Sequence, residues 1–108
     1  MPENYPIFKA AAVQAAPVYL DLDGTIEKAC DLIKKAGKNG AQLIGFPEAF
    51  IPGFPAWIFR SGPMGRRADL YARLYRNAVE VPSRAVAQLS RAARAAKVYV
   101  CIGVTERE

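Results

Sequence analysis

An α/β fold with parallel strands is predicted by three features of the 108-residue sequence. Residues 42–46 form a short, nearly continuous apolar run, the pattern of a central parallel strand covered on both faces. Residues 98–104 (VYVCIGV) are rich in β-branched side chains. Between such runs the apolar residues recur at helical spacing. The element order reads β-α-β-loop-α-α-β, and right-handed crossovers would set the three strands parallel.

The first strand is expected within residues 8–16 (FKAAAVQAA), partly alternating and closed by Pro17. Its alanines would let another layer approach closely. After Asp21, Asp23 and Gly24, an amphipathic helix follows from the stripe Ile26, Ala29, Cys30, Ile33 and Ala36. Asp21 or Asp23 can cap it, Lys34, Lys35 and Lys38 suit its negative end, and Gly40 offers a left-handed stop.

Residues 49–65 show no sustained period and carry Phe50, Phe54, Trp57 and Phe59 among prolines and glycines. A loop of this length is often functional; its aromatics could line a pocket, form a subunit contact or simply pack beneath the loop. Helical spacing returns over residues 67–78, with Leu70, Leu74 and Ala78 on one side and Tyr71 and Tyr75 beside them. Pro82 or Ser83 starts another helix, with Val86, Leu89, Ala93 and Ala96 facing the core.

The chain is one domain at most, and alone it would bury roughly two thirds of its unfolded surface. At 52% hydrophobic and 23% charged residues it is globular in composition, and no apolar run approaches the roughly 20 residues of a membrane helix. The alanine-rich stretch after Lys9 resembles a secretory leader only superficially, since Gln14 and Pro17 interrupt it and no basic cluster precedes it. A soluble, cytoplasmic protein is expected. The net charge of +5 raises the possibility of a polyanionic partner. The arginines, however, lie mainly off the apolar helical stripes, without an aromatic-and-basic platform, so no nucleic-acid partner is expected. With no histidine, a Ser-His-Asp or Cys-His machine is excluded within these residues and zinc is not expected. Cys30 and Cys101 read as buried free thiols, and no cofactor is implied.

One carboxylate stands apart. In LIGFPEAFIPGFP, residues 43–55, an apolar strand stops at Phe46-Pro47 and presents Glu48 at its carboxyl end, the edge where crevices form in open α/β sheets. From position alone, a capping or surface role for Glu48 is at least as well supported as a catalytic one. Glu106, beyond the third strand, falls on the same edge, where a solvated strand-end carboxylate is the simpler account.

These residues resemble the nitrilase branch of the carbon-nitrogen hydrolase superfamily, whose first signature places a glutamate after a strand in an F-P-E-A-F-I-P-G-[YF]-P context. The stretches VQAAPVYLDLDGTIEKACDLIKKAGKNGAQ, NAVEVPS and VYVCIGVTERE are similar to the same family, so the resemblance covers essentially the whole chain. It implies that residues 1–108 are the N-terminal portion of a single, longer domain with a four-layer α-β-β-α sandwich. It further implies hydrolysis of a nitrile to a carboxylic acid and ammonia through a cysteine thioimidate, with Glu48 as general base. A base suits this chemistry because a thiol and then a water must each lose a proton, and a carboxylate shielded from water holds its proton more tightly. The family's lysine and nucleophilic cysteine lie downstream, and neither Cys30 nor Cys101 falls in the cysteine motif. The isolated segment is therefore expected to be inactive, with one sheet face and an edge uncovered. A homo-oligomeric full-length protein is also implied. An amide-cleaving member of the superfamily and a non-catalytic truncated subunit are the competing readings.

Overall fold

The computed structural model describes residues 4–60 and 64–108. Along the chain lie β1 (Ala10–Ala12), α1 (Leu22–Lys38), β2 (Leu43–Gly45), a 3-10 helix (Ala56–Phe59), α2 (Met64–Asn77), α3 (Arg84–Ala96) and β3 (Tyr99–Cys101). The expected order is observed, with the 3-10 helix inside the predicted loop; residues 61–63 of that loop lie outside the described residues. The sheet is parallel with strand order β1-β2-β3.

Local chemistry fixes the helix ends. Of the two candidate caps for α1, Asp21 has the extended backbone of a cap and accepts a hydrogen bond from the Gly24 N–H at 3.0 Å, while Asp23 lies in the first turn. Lys35 and Lys38 occupy the last turn, where their charge offsets the exposed carbonyls. Gly40, at φ +91°, turns the chain toward β2. Ser83 caps α3, its Oγ accepting from the Val86 N–H at 3.3 Å.

The strands are shorter than the sequence pattern predicts. Beyond Ala12, Val13 donates one last bond to the Gly45 carbonyl; β2 then turns away at Pro47, which leaves residues 14–16 no ladder partner. On β3 the extended chain continues but changes neighbours, with Val104 bridging Ile51 and Glu106 bridging Val79.

The pairing register divides the sheet's side chains into two sets. Ala11, Ile44 and Val100 align across the strands and face α1 and α3; Ile44 is fully buried with Ile26, Ala29, Ile33 and Leu89, and Ala11 and Val100 pack against that cluster. The rows on either side, Ala10-Leu43-Tyr99 and Ala12-Gly45-Cys101, project the opposite way because strand side chains alternate. There Leu43 is 36% and Tyr99 81% exposed. The expectation of a central strand covered on both faces is corrected: α1 and α3 cover one face, and among the described residues nothing covers the other. The same parity corrects Cys101, which is exposed; Cys30 is half-buried on α1.

On the covered face α1 and α3 meet closely at Gly37, where a Cβ would lie 2.9 Å from that of Ala96. α2 is tied to the start of α1 by Asn77, whose side-chain oxygen accepts from the Leu22 N–H at 3.0 Å while its amide nitrogen donates to the Arg73 carbonyl at 2.9 Å. Among the described residues, no helix is long and apolar enough to cross a membrane.

Candidate active site

Glu48 sits at the carboxyl end of β2, on a turn held at both ends. Phe46 donates to the Cys101 carbonyl at 2.9 Å, so the chain is still paired with β3 there. It leaves the sheet at Pro47 and returns at Ile51, which donates to the Gly103 carbonyl at 3.2 Å and accepts from the Thr105 N–H at 2.9 Å. Residues 47–50 thus form an excursion between two fixed points, while on the opposing strand Ile102 alone separates the two acceptors. Ala49 completes the turn in the left-handed region, at φ 48°.

The turn is secured from below by apolar anchors. Phe50 and Ile51 are 2% and 0% exposed, and the Phe46 and Phe50 rings pack at 5.1 Å between centroids. Glu48 itself is exposed and makes no hydrogen bond or ion pair with the described residues. The turn is therefore anchored at both ends, through Phe46 and Ile51, and its carboxylate stands exposed between them.

The aromatic loop follows directly. Leu20 donates to the Pro52 carbonyl at 3.0 Å and the Tyr19 hydroxyl donates to the Phe54 carbonyl at 2.9 Å, tying the loop to the approach of α1. Beyond them, Phe54 and Phe59 stack at 6.3 Å and Trp57 meets Tyr71 of α2 edge-on at 4.8 Å. Phe54 and Phe59 are exposed and Phe50 is core, so the loop's aromatics divide between packing and surface.

Glu106 bridges Val79 further along the strand and is exposed; neither observation brings it into Glu48's turn. Cys30 donates through Sγ to the Gln88 carbonyl at 3.8 Å, on the helix side of the sheet. Burial pushes its thiol up, and Asp31 adds to the rise against the opposing pull of Arg91; a protonated thiol is a poor nucleophile. A cleft of about 640 Å³ between α1 and α3 is lined by charged helical residues and by the Glu80–Arg107 ion pair, 2.8 Å long. Glu48 does not line it. Among the described residues, no group of three or more His, Cys, Asp or Glu could hold a metal ion.

The residue that sequence reading passed over is Gly103, which accepts from Ile51 and lies under the turn. A glycine interrupting a β-branched run is itself a sign of close backbone approach.

The described residues thus form a parallel α/β sheet with a glutamate on an anchored turn at its carboxyl edge. The carbon-nitrogen hydrolase family model matches residues 9–108, and the chain belongs to that family. It is 53% identical over 105 residues to a nitrilase of Bacillus sp. strain OxB-1, covering 97% of this chain and 30% of that protein. Over 98 residues it is 43% identical to an arylacetonitrilase of Aspergillus kawachii, covering 91% of this chain and 29% of that protein. It is 39% identical over 108 residues to an aliphatic nitrilase of Rhodococcus rhodochrous, covering 100% of this chain and 30% of that protein. The chain thus spans about 30% of the length of these relatives.

Proposed function

We propose that residues 1–108 are the N-terminal part of a single nitrile-hydrolysing domain, with Glu48 as its general base. The observation that carries this reading is the turn at residues 47–50, which holds the Glu48 backbone between two ladder bonds to the β3 segment and leaves its carboxylate unpaired. Similarity to nitrilases across nearly the whole chain supports the substrate class.

In the proposed reaction, Glu48 takes the proton of a cysteine thiol supplied by the rest of the domain as sulfur attacks the nitrile carbon. The nitrile nitrogen gains that proton, giving a thioimidate. Water then adds with Glu48 again as proton acceptor, ammonia departs to leave a thioester, and a second water releases the carboxylic acid and restores the thiol. A lysine beyond these residues would stabilise the charge of the tetrahedral intermediates.

The uncovered sheet face supports the four-layer reading. Leu43, Tyr99 and their neighbours form an apolar surface of the kind that a second sheet covers in a sandwich. That packing would also withdraw Glu48 from water.

The test is Glu48→Gln in the full-length protein that carries this segment, assayed for acid and ammonia released from a nitrile. Turnover should fall by at least about 10²–10⁴-fold, the usual contribution of a general base, with circular dichroism and thermal midpoint retained. Near-normal turnover would overturn the assignment of Glu48, and inertness of the parent protein toward nitriles, with amide cleavage intact, would overturn the substrate class.

A further inference from the structure

The turn that carries Glu48 passes directly over Gly103. A Cβ placed on Gly103 would lie 2.5 Å from the Ala49 nitrogen, 2.7 Å from the Pro47 carbonyl oxygen and 2.9 Å from the Glu48 Cα. All three are main-chain atoms, so no side-chain rotation could relieve the contact. The 2.5 Å approach falls well short of the 3.4 Å at which ordinary van der Waals contact begins, and backbone must therefore move. It cannot be the strand without loss of the ladder, because Gly103 sits between the Cys101 carbonyl, which receives Phe46, and Thr105, which donates to Ile51. Residues 47–49 are the part free to yield.

Resting on the reading of Glu48 as general base, we propose that Gly103 is a positioning residue for the reaction: its missing side chain is what lets the turn seat Glu48 at its working height above the sheet. Gly103 touches the backbone of Glu48 and acts only through it. Its φ carries no left-handed requirement, so its role comes from space alone. Gly37 makes an instructive contrast, since a Cβ there meets the Ala96 Cβ at 2.9 Å in a helix contact remote from the turn.

The experiment compares Gly103→Ala, Gly37→Ala and Glu48→Gln in the full-length protein. Gly103→Ala should lower kcat about 100-fold, the scale expected for a displacement of about 1 Å at a reacting group, while KM stays within about threefold. Gly37→Ala should lower the thermal midpoint and leave kcat within about twofold. Wild-type kcat in Gly103→Ala, with Glu48→Gln inactive, would overturn the positioning role alone; an active Glu48→Gln would instead overturn the base assignment beneath it. An equal loss of kcat in Gly37→Ala would reduce the effect to general destabilisation and also overturn the role. If Gly103→Ala does not fold, Ala49→Gly/Gly103→Ala takes its place, because glycine at the left-handed position gives the turn freedom to move aside. Measured against Ala49→Gly alone, that double variant should fold and show the same kcat loss; undiminished kcat would overturn the proposal.

Discussion

The two faces of the three-stranded sheet carry similar residues in different circumstances. Ile44 and Leu43 are adjacent aliphatic residues of one strand, yet the first is fully buried beneath α1 and α3 and the second is 36% exposed. Hydrophobicity did not decide between them; strand parity and the position of the helices did. An apolar residue on the open face is therefore a measure of what else the folded protein places there.

The sharpest way to break this comparison is to truncate both side chains in the full-length protein and measure urea unfolding. Ile44→Ala should cost about 2–5 kcal/mol, as for a fully buried aliphatic residue. Leu43→Ala should approach the same range if a second layer covers it, and stay below about 1 kcal/mol if the face remains open. The cysteines offer a probe of intermediate effect. With the 108 residues alone, Cys101 should be alkylated by iodoacetamide at pH 8 about tenfold faster than Cys30. Cys30 is half-buried and its thiol is pushed up, so less thiolate is present at that pH; because its folded-state value lies above the unfolded one, the stability it contributes is fully present below the unfolded value and is lost as pH rises from there through the folded value. Protection of Cys101 in the full-length protein would mark the open face as covered. The smallest effect belongs to the covered face's own support: Ser83→Ala should remove about 0.5–1 kcal/mol by unsatisfying the first turn of α3, read as a lower thermal midpoint. No change would mean that sheet packing alone holds that helix.

Much of this organisation was legible in the sequence because it is written in local pattern. The stripe from Ile26 to Ile33, the helix starts at Asp21 or Asp23 and at Pro82 or Ser83, and the apolar run into Pro47 each specify their element within a few residues. Glu48's place at a strand end was legible for the same reason. The sequence could not show which face of a continuous apolar strand lies open, because a run such as LIGF has no polar residue to break the tie between faces. Cys101 shares that ambiguity: within VYVCIGV it looks as interior as Val100, and only the register with Gly45 separates them. The close approach at Gly103 is not local, because its contact is made by residues 47–49, distant in the chain.

The ladder bonds from Phe46 and Ile51 to the β3 segment also have a bearing on time. During synthesis, β1, α1 and β2 can associate as soon as they have emerged, whereas the turn bearing Glu48 has no counterpart to grip until residues 101–105 follow. Its geometry depends on contacts far apart in the chain, which form late. The carboxylate proposed to do the chemistry would thus be among the last parts of this segment to reach its final position, after the scaffold that displays it is already built.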